Sequence, residues 1–223
     1  MFQAGPARRL SNPPHGVLRD GLGLAPGMRV GLFGGSFNPA HEGHAHVAET
    51  ALIRLGLDRV VWLVSPHNPL KNRRQNAPLE DRMASARAFA RGPAMLVSDF
   101  ERRAGVYWTI DTIRALQDRY PQVKFVWIMG ADNMAGFHLW RGWTEIARLV
   151  PMAVVSRPGS LLESRFAPAA TRLARFRLPL ASAPTLSDRP APAWVYLQAP
   201  LNHASSTALR AAARDGSRDA SAP

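Results

Sequence analysis

The residues best suited to chemistry lie in the stretch 31–46, GLFGGSFNPAHEGHAH. An apolar run ends in Gly34-Gly35-Ser36-Phe37, turns through Asn38-Pro39, and delivers His41 and His44 at the first turn of a helical pattern. Glycines carry no Cβ, so a ligand can approach the main chain there. A helix N-terminus offers amides without intrahelical partners and a partial positive charge, both of which welcome an anion. Imidazoles three positions apart face the same side, and each can donate a hydrogen bond to a phosphate oxygen without becoming a nucleophile. Near the other end, Ser205-Ser206-Thr207-Ala208-Leu209-Arg210 sets hydroxyls at the cap of another helical pattern and adds a planar guanidinium. Both stretches suit the cradling of phosphate groups.

On spacing alone, other readings of these residues stay open. His41-Glu42-Gly43-His44 is not the H-E-x-x-H of a zinc protease, which needs its histidines four apart. A metal shared by His41, His44 and His46, or plain surface imidazoles beside a turn, fits the spacing too. SSTALR by itself is a capping sequence. No G-x-x-x-x-G-K-[ST] phosphate loop occurs, and GLGLAPG at 21–27 lacks the third glycine and the preceding strand of a dinucleotide fingerprint.

The elements that must position these groups follow from periodicity. Apolar runs at 29–34, 59–65, 94–98, 123–130, 152–156 and 193–198 predict strands of the buried, parallel kind. Helical patterns fall at 46–56, stopped by Gly56, at 79–91, and at 109–120 with Thr109 as its cap. Regular alternation of strand and helix implies right-handed crossovers. The expected fold is α/β, a Rossmann-like, doubly wound, mostly parallel sheet with helices on both faces. Ligands of such sheets bind at the carboxyl ends of the strands, so the chemistry belongs in the loops after Phe33, Ser65 and Met129 and around residue 203. We expect an N-terminal arm over 1–27, one domain over 28–214 and a tail over 215–223. The Arg- and Pro-rich stretch 157–192 reads as a surface helix plus irregular segments of the same domain.

Composition narrows the class. The chain has 223 residues and no cysteine, which excludes disulfide scaffolds, thiolate metal sites and cysteine nucleophiles. No apolar run approaches the roughly 20 residues that span a bilayer, and no secretory h-region is visible, so a cytoplasmic protein is expected. Lys and Arg number 28 against 16 Asp and Glu, a formal charge of +12. The basic residues are scattered, without an aromatic-interleaved stripe or a nucleic-acid-binding motif, which argues against nucleic acid as partner.

These residues carry a resemblance. GGSFNPAHEGH (34–44) resembles the signature of the nucleotidyltransferase α/β phosphodiesterase superfamily, in particular of bacterial nicotinate-nucleotide adenylyltransferases. SSTALR (205–210) is similar to that family's SSTxIR clamp on the ATP phosphates. Gly130-Ala131-Asp132, with Trp140 eight positions beyond the aspartate, is similar to its GAD…W stretch, and YWTIDT (107–112) resembles S-Y-T-x-D-T. The resemblance spans about residues 29–212. It departs at Asn38, where Asp is common, at Tyr107-Trp108 and at Leu209.

What it implies is transfer of AMP from ATP to nicotinate mononucleotide, giving nicotinate adenine dinucleotide and pyrophosphate. His41, His44 and Arg210 would serve the reaction itself. Gly34, Gly35, Ser36, Phe37, Gly130, Asp132, Ser205, Ser206 and Thr207 would hold ATP, and Lys71, Trp108, Thr109 and Trp140 the mononucleotide. Trp140 as core packing and Lys71 as solvated charge are the competing readings. Mg²⁺ would ride mainly on ATP phosphates, with no protein metal site. Phosphopantetheine adenylyltransferases and cytidylyltransferases share the two cradles and are the alternatives within the superfamily, while a non-enzymatic basic nucleic-acid-binding protein is the alternative outside it.

Overall fold

The computed structural model describes residues 21–66, 77–156, 164 and 166–198. Its single sheet contains β1 (Arg29–Gly35), β2 (Arg59–Val64), β3 (Met95–Ser98), β4 (Lys124–Gly130), β5 (Met152–Val155) and β6 (Trp194–Leu197). The order is β3-β2-β1-β4-β5-β6, and every pairing is parallel. Chain progression runs outward from β1 on one side and then restarts from β1 on the other. Between β1 and β4 the direction therefore switches, and a crevice opens at their carboxyl ends.

A parallel sheet needs cover on both faces, and side-chain alternation supplies it. Val61, Leu63, Trp127, Met129, Met152 and Val154 enter one core. Their neighbours Val60, Trp62, Val126, Ile128, Ala153 and Val155 enter the other. Helices α3 (Phe100–Ala104), α4 (Thr109–Arg119), α5 (Ala131–Gly136), α6 (Trp143–Leu149) and α7 (Pro168–Arg172) cover the first. Helices α1 (Glu42–Arg54) and α2 (Leu79–Phe89), with the 3-10 stretch Leu180–Asp188, cover the second. This is the doubly wound fold expected from the sequence.

Details differ from expectation. Helix α1 begins at Glu42 rather than at 46, so the histidine turn belongs to it, and Gly56 at φ +59° ends it. Thr109 does not cap α4. It is the first helical residue, and Trp108, with extended backbone, holds the cap position. Helices α3, α5 and α6 are too short for a 3.6-residue pattern to reveal. Residues 21–28 lie against the domain, where Leu22 is 2% exposed and the Gly27 amide donates to the Gln122 carbonyl at 2.8 Å. Among the described residues no helix is long and apolar enough to cross a membrane.

Candidate active site

The crevice begins where β1 runs into α1. A Cβ at Gly34 would stand 2.6 Å from Trp127 Cη2, and one at Gly35 would stand 2.9 Å from Phe37 Cζ. Both distances are below contact, so glycine is required. The protein's own rings impose it, a reason additional to the ligand approach expected from the sequence. Phe37 turns through the left-handed region at φ +45°, unfavourable for a side chain of its size, and its ring is buried. Any contact of Phe37 with a nucleotide therefore passes through its backbone. Ser36 Oγ is buried and meets no hydrogen-bond partner among the described residues.

The histidines stand on this aromatic floor. The His44 ring lies 5.1 Å from Phe37 and 6.2 Å from Phe33, and Phe37 in turn packs 5.1 Å from Trp62. His41, 2% exposed, occupies the N-cap of α1, and His44 is the third residue of its first turn. Their ring centroids are 3.8 Å apart. The His44 amide donates to the His41 carbonyl at 2.8 Å, and the His41 amide donates to His44 Nδ1 at 3.3 Å. That second bond selects a tautomer: with Nδ1 accepting, the neutral ring carries its proton on Nε2, which becomes the donor. The expected pairing of the two imidazoles on one side of the helix is what the structure shows.

Across the switch point the β1–β4 ladder ends at the pair Phe33–Ile128, beyond which Gly34-Gly35 stay with β2 and Met129-Gly130 with β5. Gly130 is the N-cap of α5, and Asp132 is exposed in its first turn. Trp127, under Gly34, meets Trp140 edge-on at 6.3 Å. Trp140 also meets Phe137 at 5.4 Å, yet it is only partly buried, so a packing role and an open ring surface coexist. Trp108 caps α4 under the Arg141 guanidinium, 5.3 Å from its ring centroid, and Thr109 follows it.

The matching family model is cytidylyltransferase-like and covers residues 32–212. A "Probable nicotinate-nucleotide adenylyltransferase" of Caulobacter sp. (strain K31) is 65% identical over 183 residues, 82% of this chain and 97% of that protein. The chain belongs to the nicotinate-nucleotide adenylyltransferases. A relative of the same name from Methylorubrum extorquens is 55% identical over 82% of this chain and 99% of its own length. The fold is shared with Plasmodium falciparum nicotinic acid mononucleotide adenylyltransferase complexed with APC (TM-score 0.60, 12% identity, 82% of this chain and 83% of that one). The chain is thus an enzyme, a nucleotidyltransferase, and the phosphopantetheine and nucleic-acid alternatives give way.

Within this adenylyltransferase Gly34, Gly35, Ser36, Phe37, His41 and His44 lie at the carboxyl end of β1 and its turn into α1, Gly130 and Asp132 at the carboxyl end of the neighbouring β4, and Trp140 against Trp127. Lys71, Ser205, Ser206, Thr207 and Arg210 lie outside the described residues. No group of three His, Cys, Asp or Glu side chains placed to share a metal occurs among the described residues, His41, His44 and His46 included.

Two features escaped the sequence. Glu101, 6% exposed, accepts a hydrogen bond from Thr112 Oγ1 at 3.1 Å, and burial pushes its carboxyl up to about 7. The same Thr112 hydroxyl lies 3.2 Å from the Trp108 carbonyl. Arg82 is buried on α2 and, among the described residues, donates only to main-chain carbonyls. A Glu before two arginines and an Arg within an ordinary helical pattern carry no sequence signal of burial.

Proposed function

We propose that the crevice between β1 and β4 carries adenylyl transfer from ATP to nicotinate mononucleotide, and that His41 and His44 serve its transition state. The observation that supports this is the imidazole pair: two rings 3.8 Å apart at the head of α1, one with Nδ1 committed to a backbone amide. A phosphate oxygen of the mononucleotide attacks the α-phosphorus in line. The new oxygen–phosphorus bond forms as the bond to the bridging oxygen breaks, and pyrophosphate leaves with that electron pair. The attacking oxygen is already ionised, so neither an enzyme nucleophile nor a strong base is needed.

What the chain must supply is alignment and charge neutralisation on the five-coordinate phosphorus and the departing pyrophosphate. His44 Nε2–H and the first-turn amides of α1 meet the phosphates from one side, where the helix end adds partial positive charge. Ser205, Ser206, Thr207 and Arg210 are assigned by their motif to the same phosphates. Ser36 Oγ, with no acceptor among the described residues, is a further donor. Asp132 would accept from a ribose hydroxyl, and Trp140 would offer its open face to the pyridine ring, with Trp108, Thr109 and Lys71 completing the mononucleotide seat. The phosphates, rather than a protein cage, would supply the oxygens for Mg²⁺, whose contribution is charge neutralisation.

The test is pyrophosphate release from ATP against a panel of mononucleotides. Nicotinate mononucleotide should give the highest kcat/KM, above the nicotinamide form, because amides at the head of α4 favour a carboxylate. Equal use of both, or preference for phosphopantetheine, would overturn the acceptor assignment.

A further inference from the structure

Helix α3 leads through residues 105–108 into α4, and Glu101 fastens that loop at both ends. Its main-chain carbonyl accepts from the Val106 amide at 3.0 Å, and its buried carboxyl meets Thr112 Oγ1 at 3.1 Å. No cation pairs with this carboxyl among the described residues, and the neighbouring Arg102 and Arg103 both bond to Asp99. Thr112, buried on α4, stands 3.2 Å from the Trp108 carbonyl, which also accepts from the Asp111 and Thr112 amides at 2.9 and 3.0 Å. A hydroxyl carries one hydrogen. It therefore bonds both oxygens only as a relay, taking a hydrogen from the protonated carboxyl and giving its own to the carbonyl. Burial favours that neutral carboxyl.

The relay ends on a single peptide unit. The Trp108 carbonyl and the Thr109 amide share one plane and point opposite ways. A carbonyl drawn into the helix thus aims the amide out of the first turn of α4, where it has no intrahelical partner. Packing sets where that turn lies. Arg141 covers the Trp108 ring at 5.3 Å from its centroid, and Ile110 presses on the segment that follows Trp140, since a Cβ at Gly142 would stand 2.6 Å from Ile110 Cδ1. The tilt of the peptide plane falls to hydrogen bonds, which are directional. Two apolar side chains would fill the same volume at less cost than a carboxyl and a hydroxyl, so aim explains the polar pair better than packing does.

We infer that Glu101 and Thr112 are positioning residues for acceptor selection, holding the Trp108–Thr109 peptide so that its amide meets the carboxylate of nicotinate mononucleotide. The inference rests on the placement of that carboxylate at the head of α4. Both side chains are buried, so they act through the peptide unit. The carboxylate is what separates the nicotinate form from the nicotinamide form. A misdirected N–H therefore costs the nicotinate form more, because a hydrogen bond to a charged acceptor is the stronger one.

The experiment compares wild type with Thr112→Val, Thr112→Ser, Glu101→Leu, Glu101→Gln and Thr109→Pro. Pyrophosphate release is followed with ATP and either the nicotinate or the nicotinamide mononucleotide, beside thermal melting. T112V should raise the nicotinate mononucleotide KM about fivefold, the weight of one hydrogen bond, and leave the ATP KM within about twofold. E101L should do the same, and in both the preference over the nicotinamide form should narrow. T112S keeps the hydroxyl and E101Q keeps a donor facing it, so both should restore the wild-type KM. A rise in T112S equal to that in T112V would reduce the pair to packing and overturn the inference. T109P removes the N–H itself at the first helical position, where proline is tolerated after an extended Trp108, and should raise the same KM about tenfold or more. A KM raised in T109P but unmoved in T112V and E101L would overturn the pair and keep the seat. An unmoved KM in T109P would remove the carboxylate from the head of α4, and the inference with it. Loss of folded protein in both T112V and E101L would also overturn it, since the pair would then serve stability.

Discussion

The two walls of the crevice are built on opposite principles. The wall of β1, β2, α1 and α2 is stitched: Arg82, Asn38 and Ser85 hold its turns by hydrogen bonds to the main chain. The wall that starts from β4 and runs past α5 to the head of α6 is paved with aromatic side chains, Trp127, Phe137, Trp140 and Trp143, in edge-to-face contact. Hydrogen bonds are directional, so the stitched wall fixes atoms. Ring packing tolerates sliding, so the paved wall offers a surface. That division suits a reaction in which triphosphate oxygens need defined donors while a flat heterocycle needs area.

The contrast can be broken by mutation, beginning with the greatest effect. His44→Ala removes a donor from the stitched wall and should lower kcat by about 10²-fold, the usual loss for one transition-state donor. ATP affinity should fall much less. Steady-state kinetics beside analogue binding checks this, and a loss below threefold in folded protein would remove His44 from the reaction.

Next comes the polar thread that runs beneath the paved wall, from Glu101 through Thr112 to the Trp108 carbonyl. The folded protein holds the Glu101 proton more tightly than the unfolded chain, with a pKa raised from 4.5 to about 7. Stability from this group is therefore full below about pH 4.5 and is lost as pH rises through 7. Glu101→Gln mimics the protonated carboxyl. It should match wild type near pH 5 and exceed it by about 2 kcal/mol near pH 8 in denaturant titrations. Parallel pH profiles for the two proteins would contradict the burial argument.

The smallest effect is expected on the paved wall itself. Trp140→Ala should raise the mononucleotide KM about tenfold, since stacking on one ring contributes about 1–3 kcal/mol, while the ATP KM stays within about threefold. Equal loss for both substrates would mean that Trp140 only packs against Trp127 and Phe137.

The two walls also differ in how far they could be read beforehand. Strands β1 to β6 were legible because a parallel sheet demands continuous apolar runs, and the histidine turn because Gly-Gly-Ser leads from a strand into H-x-x-H at a helix start, where unpaired amides welcome a phosphate. Trp140 was legible only through its spacing from Asp132. The stitching was not legible at all. Arg82 bonds to carbonyls, which every residue possesses, so no partner side chain marks it. The Thr109 cap failed because Trp108 takes the extended cap conformation and the helix starts at Thr109 itself, one residue earlier than a hydroxyl cap at that position requires. Gly34 was singled out for ligand approach, and the indole of Trp127 gives it a further, steric reason that no sequence pattern carries.

That glycine has a consequence that reaches beyond its own turn. Trp127 occupies the clearance left at Gly34, and its ring stands edge-to-face with Trp140. A methyl group at position 34 would have to swing the indole, and the neighbour it abuts would be jostled in turn. An alteration beside the histidines would thus be registered at Trp140, through nothing more than the thickness of one ring.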